Sequence, residues 1–135
     1  MSITILVVED NPITCEIVRA TLASRGFTIL LAPNGRAALE LMSNQICHLA
    51  LVDLMLPDID GAQLLEKLRR LPGGSDMPIL AFSAFVSRLR ELCRQGAGFD
   101  DYIAKPVEPE DLIRIVEEHL ARGVDRTALP TAIHV

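Results

Sequence analysis

The 135-residue chain has no tryptophan, one tyrosine and four phenylalanines. With aromatics this scarce and half of the residues hydrophobic, the core has to be built from Leu, Ile, Val and Ala. Cysteine is also sparse: Cys15, Cys47 and Cys93 are an odd, scattered set without CxxC spacing, and they read as reduced thiols in a cytosolic protein. Positive charge is outnumbered, with 13 Lys and Arg against 18 Asp and Glu. A net charge of -5 argues against direct binding to nucleic acid or to an anionic membrane, both of which want a concentrated basic patch. No apolar stretch approaches the ~20 residues of a spanning helix. The N-terminus lacks a basic region, and its apolar run is cut short by Glu9-Asp10, so it does not read as a signal peptide. Internal repeats and low-complexity segments are missing as well. The expectation is one soluble, cytoplasmic domain, long enough to bury a continuous core.

What is present is alternation. Residues 3–8 form a near-continuous apolar run, too short for a helix and suited to a strand buried on both faces. Asn11 offers an N-cap and Pro12 a first helical position, opening a helix to about Arg25 with Ile13, Ile17, Ala20 and Leu22 at roughly helical spacing. Gly26 stops it. Residues 27–31 read as a second strand, and Asn34 caps a helix carrying Ala37, Ala38, Leu41 and Met42. A third strand spans 48–53, then turn chemistry at Pro57-Asp58-Ile59-Asp60-Gly61 precedes a helix with Leu64, Leu65 and Leu68 on one face. A break at 71–75 leads to a fourth strand at 77–82, a helix near 86–95 ending at Gly96, a fifth strand at 101–104 and a last helix at 108–121. Residues 122–135 show no periodicity and read as a frayed tail or the start of a linker. Five strands alternating with five helices predict an α/β fold, a doubly wound parallel sheet with helices on both faces.

In such sheets ligands bind beyond the carboxyl ends of the strands. Glu9-Asp10, Asp53, Ser83 and Lys105 all fall at or just past predicted strand ends. Asp53 is the most exposing case, because an unpaired carboxylate at the end of the buried run 49–52 costs several kcal/mol unless a cation, a donor or a function accompanies it. Three converging carboxylates repel unless a multivalent cation sits between them, and an all-oxygen set suits Mg²⁺. Asp10 and Asp53 are the candidate direct ligands, with Glu9 a ligand through water. Asp53 has a second role open to it, as a nucleophile forming an acyl phosphate, with Lys105 neutralising charge and the Ser83 hydroxyl donating to a phosphoryl oxygen. Singly these features are ordinary: Glu9-Asp10-Asn11-Pro12 reads equally well as a helix start, Lys105-Pro106 as a charged residue before a turn, and Ser83 as a capping hydroxyl. Only their order and placement together favour the chemistry.

On these residues, from Ile3 to about Ala121, the chain resembles the receiver domains of two-component response regulators. The resemblance is carried by Glu9-Asp10, by Asp53 within Asp53-Leu54-Met55-Leu56-Pro57, by Gly61, by Ser83-Ala84, by Tyr102 and by Lys105-Pro106. It implies a flavodoxin-like receiver fold with strand order 2-1-3-4-5, residues 1–121 forming the receiver and 122–135 a flexible tail or linker. Also implied are Asp53 as phosphoacceptor from a sensor histidine kinase or phosphotransfer protein, and Mg²⁺ on Asp10, Asp53 and the Met55 backbone carbonyl. The Lys105-Pro106 bond is expected to be cis, aiming the ammonium into the site. Ser83 and Tyr102 would be switch residues: Ser83 moves toward the phosphoryl group, Tyr102 swings inward, and the face of the fourth helix, fifth strand and fifth helix is remodelled for a downstream protein target.

Several positions depart from the family's usual pattern. Val107 replaces a frequent phenylalanine. Met55 and Phe85, two residues past Asp53 and Ser83, are bulky and apolar and cannot orient a hydrolytic water, so autodephosphorylation should be slow. Ile115 and Glu117 stand where winged-helix regulators carry dimerising arginines, which predicts a monomer or weak dimer. Asp100-Asp101 and Arg88, Arg90 and Arg94 read as solvated charges. Met1 directly before the first strand favours an N-terminal receiver, either alone or ahead of an output domain. Two other readings compete. A Mg²⁺-dependent aspartyl-phosphate phosphohydrolase would want a second Asp where Met55 stands, and a pseudo-receiver would not need the intact acidic, hydroxyl and lysine set.

Overall fold

The structure, a computed structural model, describes residues 2–123, 126 and 129–135. Its elements alternate as β1 (Thr4–Val8), α1 (Pro12–Ala23), β2 (Thr28–Ala32), α2 (Gly35–Asn44), β3 (Leu49–Val52), α3 (Gly61–Arg70), β4 (Ile79–Ser83), α4 (Val86–Gln95), β5 (Asp101–Ala104) and α5 (Pro109–Arg122). The five strands are parallel and ordered β2-β1-β3-β4-β5, the doubly wound arrangement expected from the alternation. None of the described helices is long and apolar enough to cross a membrane.

Strand periodicity divides the core in two. Leu6, Val8, Ala50, Val52, Ile79, Ala81, Tyr102 and Ala104 pack against α2, α3 and α4. Their alternates Ile5, Val7, Leu49, Leu51, Leu80, Phe82 and Ile103 pack against α1 and α5. Because both faces are covered, the strands carry apolar residues on both faces, which is why they appear in the sequence as nearly continuous apolar runs.

Local chemistry starts and stops the helices. The Asn11 side chain accepts from the amides of Ile13 and Thr14 at 2.9 and 3.1 Å, Asn34 from Ala37 at 2.8 Å, and Asp60 from Ala62 at 2.8 Å. Gly96 ends α4 at φ 65°, the left-handed conformation that glycine adopts without steric cost.

Three expectations shift. In α1 the buried stripe is Val18 and Leu22, whereas Ile13 and Ile17 lie at 72% and 58% exposure on the neighbouring stripe. Spacing alone identified an apolar helix but not which of two adjacent stripes meets the sheet. The fourth strand begins at Ile79, because Pro78 has no amide to donate, and it runs on to include Ser83. Within the segment 122–135, expected as a frayed tail or the start of a linker, His134 meets the edge of β5. His134 pairs in parallel with Ile103, its amide donating to the Tyr102 carbonyl and its carbonyl accepting from the Ala104 amide, both at 2.8 Å. The expectations for Met1 and for the tail at Val124, Asp125, Thr127 and Ala128 lie outside the described residues.

Candidate phosphoacceptor site

The acidic groups are delivered by hydrogen bonding that continues just past the strand ends. The Glu9 amide donates to Ala32 at 2.9 Å, and the Asp53 amide donates to Val8 at 3.0 Å. Glu9 and Asp53 are thereby buried, while Asp10, one residue further on, is exposed. Ligand atoms of Glu9, Asp10 and Asp53 all lie within 4.8 Å of one another.

Lys105 arrives from the end of β5. Its ammonium contacts Glu9, stands 3.2 Å from Asp53 Oδ2, and sits 5.0 Å above the Phe82 ring centroid. Its amide donates to the Ser83 carbonyl at 2.9 Å, which ties the β5 end to the β4 end. The Lys105-Pro106 peptide is cis. Burial pushes the Glu9 carboxyl above its ordinary value, against the opposing hydrogen bonds from Lys105 and the Asn11 amide.

One ammonium against three carboxylates leaves the cluster negative if all are ionised. The donor set is all oxygen and open to solvent on one side, which fits a hard divalent cation. Asp53 Oδ1 also accepts from the Met55 amide at 3.2 Å, so the loop beyond β3 closes around the carboxylate. Gly61 makes that closure possible: a Cβ there would lie 2.7 Å from the Asp53 carbonyl oxygen and 2.7 Å from Leu54 Cα.

The cleft above the carboxylates, about 590 Å³, is bounded by Ile17, Met55, Phe85, Pro106 and Val107 as well as by the charged set. Ser83, at the end of β4, is fully buried, and its hydroxyl accepts from the Phe85 amide at 3.2 Å. Tyr102 is not beside it. The Tyr102 ring is buried against Phe99, edge to face at 5.6 Å, and its hydroxyl donates at 3.4 Å to the carbonyl of Leu92 in the second half of α4. Glu9, Asp10, Asp53 and Lys105 are thus brought together, Ser83 joins them through its carbonyl's bond to the Lys105 amide, and Tyr102 packs among the α4 residues Leu89, Leu92 and Cys93.

The sequence reading missed a second polar centre. Asp101 is buried, with His119 Nε2 at 2.8 Å and His134 Nε2 at 2.7 Å from its Oδ2. Burial raises the Asp101 carboxyl, but hydrogen bonds from the two histidines and the Tyr102 amide outweigh it and hold the group below its ordinary 3.8. Asp100 pairs with Arg69 at 2.7 Å and with Arg126 at 3.1 Å. Neither aspartate is the solvated charge expected. Only long-range contacts identify their partners, which lie 18 to 33 residues away for the Asp101 histidines and 31 and 26 for the Asp100 arginines. Arg88 is surface-paired with Asp60 and Glu91. Ile115 is core, and Glu117 pairs with Arg25 at 3.3 Å.

A five-stranded doubly wound sheet bearing an acidic cleft and a lysine at its carboxyl edge defines a receiver-type domain. The chain belongs to the response regulator receiver domain family, whose sequence profile matches residues 5–117. It is 39% identical over 118 residues to an uncharacterized 14.6 kDa protein of Leptolyngbya boryana, covering 85% of this chain and 88% of that one. It is 34% identical over 122 residues to the response regulator MprA of Mycolicibacterium vanbaalenii, covering 90% of this chain but 52% of the relative, so it spans about half the length of that regulator. Among solved structures it is similar to the receiver domain of a Pseudomonas aeruginosa sensor histidine kinase that holds a magnesium ion in its active-site cleft. The TM-score is 0.81 at 34% identity, over 90% of this chain and 99% of that one. A CheY-like receiver from Methanospirillum hungatei matches with TM-score 0.81 at 32% identity, over 90% and 96%.

Proposed function

We propose that this domain is a phosphorylation-dependent switch in which Asp53 accepts a phosphoryl group from a histidine kinase or phosphotransfer protein. The carrying observation is the meeting of Asp53, Glu9, Asp10 and Lys105 at the ends of three strands. An Asp53 oxygen forms the new P–O bond as the P–N bond of the donor phosphohistidine breaks and the imidazole leaves. Asp10, Asp53 and the Met55 carbonyl, with Glu9 through water, would hold Mg²⁺, which supplies charge neutralisation for the transferring phosphoryl group. Lys105 stays within reach of the same oxygens as a second positive charge. The Ser83 hydroxyl accepts from the Phe85 amide, which leaves its own hydrogen to donate to a phosphoryl oxygen.

The cleft's rim supports a protein-borne donor. Ile17, Met55 and Phe85 are each more than half exposed around it, an apolar surface suited to a partner helix and wasted on a small phosphoester. A downstream protein would read the face of α4, β5 and α5, the domain acting in the cytoplasm as a monomer or weak dimer. Residues 1–121 form the receiver in this reading, whether the chain acts alone or ahead of an output domain.

Incubation with Mg²⁺ and acetyl phosphate tests the reading. Wild type should take up one phosphoryl group and Asp53→Asn none. An unlabelled wild type points to a pseudo-receiver, and inorganic phosphate released steadily in excess of protein points to a hydrolase.

A further inference from the structure

We propose that residues 129–135 form a strap that holds β5 in its resting arrangement and opposes phosphorylation at Asp53, a coupling that rests on the phosphoacceptor reading above. β5 is a terminal strand of the sheet, so its outer edge carries backbone groups with no strand partner. His134 occupies that edge, bonded at 2.8 Å both to the Tyr102 carbonyl and to the Ala104 amide. Its imidazole reaches the buried Asp101 at 2.7 Å. The preceding Ile133 packs against the cluster that contains Tyr102, and the Pro130 carbonyl accepts from the Cys93 thiol at 3.4 Å. Arg126, three residues before the strap begins, is bonded to Asp100 and to the Ser75 carbonyl.

The strap acts on the switch through two neighbours. It bonds the Tyr102 carbonyl through His134 and packs Ile133 against the cluster that holds Tyr102, whose hydroxyl is directed at Leu92. It also grips Ala104, the residue immediately before Lys105. Lys105 in turn bonds the Ser83 carbonyl through its amide and reaches Glu9 and Asp53 through its ammonium. A phosphoryl group on Asp53 adds acceptor oxygens that compete for this ammonium and for the Ser83 hydroxyl. Any shift of the β5 end toward them pulls on the pair of bonds to His134. Linkage is reciprocal, so a strap that resists this shift weakens phosphoryl binding, and phosphoryl binding loosens the strap by the same factor.

The test uses the full chain with two strap variants, His134→Pro, which removes the donated amide, and Ile133→Ser, which removes the apolar anchor. Tyr102 is the only tyrosine and there is no tryptophan, so acrylamide quenching of tyrosine fluorescence reports strap closure directly. Beryllofluoride with Mg²⁺ serves as the phosphoryl probe. Quenching should rise in both variants, the beryllofluoride midpoint should fall about fivefold, and beryllofluoride should itself increase Tyr102 quenching in wild type. Increased quenching with an unmoved midpoint would overturn the coupling, and unchanged quenching in both variants would overturn the strap. Failure of every form, wild type included, to bind beryllofluoride would overturn the phosphoacceptor reading and the coupling with it. Binding by wild type keeps the two failures distinct.

Discussion

The Lys105 ammonium stands 3.2 Å from Asp53 Oδ2 while also contacting Glu9, so one cation from the end of β5 serves two buried carboxylates from the ends of β1 and β3. Lys105→Ala leaves both carboxylates uncompensated in a poorly solvated place. Stability at neutral pH should drop by about 2–4 kcal/mol, and labelling of Asp53 by acetyl phosphate should slow at least about tenfold. Adding Glu9→Gln should restore part of the stability but not the labelling. Urea unfolding of wild type, Lys105→Ala, Glu9→Gln and the double variant checks this, and additive losses would refute the shared-cation account.

Magnesium should bind the folded acidic cluster and stabilise it. At a free concentration ten times its dissociation constant the gain is about 1.4 kcal/mol, seen as a raised unfolding midpoint. Asp10→Asn and Asp53→Asn should each remove most of that gain, because each deletes one member of the donor set. A midpoint equally responsive to Mg²⁺ in both variants would place the cation elsewhere.

Gly61 is required by proximity. A methyl group at this position meets the Asp53 carbonyl oxygen and Leu54 Cα at 2.7 Å, both backbone atoms that cannot rotate aside. Gly61→Ala should cost about 1–3 kcal/mol and also impair labelling, since the backbone that must shift is the one carrying the phosphoacceptor. Loss of stability with intact labelling kinetics would separate the two effects and contradict the argument.

Asp101 predicts an acid limb in the stability profile. Its folded carboxyl lies below 3.8, so its contribution is present above that value and is lost as pH falls through the folded value. At neutral pH Asp101→Asn should be less stable than wild type by about 1–3 kcal/mol, because buried partners lose a charged acceptor. The two stability curves should converge below 3.8. Curves that stay parallel in urea titrations across the acid range would assign the stabilisation to something else.

Met55 and Phe85 flank the cleft with apolar side chains that cannot align water for attack on an aspartyl phosphate. The phosphoryl group should therefore outlast a scale of seconds, and Met55→Asn should shorten its lifetime. Decay of labelled protein after removal of the donor measures both. A wild-type half-life of seconds or less would defeat the prediction.

Much of this molecule was legible before any fold was seen. Strands buried on both faces leave continuous apolar runs, and Asn11, Asn34 and Gly96 mark helix ends through local hydrogen bonding and backbone conformation. The candidate site was legible for a topological reason. In a parallel sheet every strand points its carboxyl end to the same edge, so Glu9, Asp53, Ser83 and Lys105 needed no knowledge of contacts to be grouped.

What lay beyond reach were choices made between distant segments. Whether Ile17 or Val18 faces the core depends on how α1 is rotated against the sheet, a matter of roughly 100° per residue that apolar spacing leaves open. The positions of His119 and His134 on Asp101, and the seating of residues 129–135 on β5, involve single contacts with no periodicity to announce them. Strand runs, caps and polar strand ends are local or topological signals, so they follow from the order of residues alone. The register of α1, the burial of Tyr102 and the seating of His134 on β5 are long-range packing outcomes that arise only when distant segments meet.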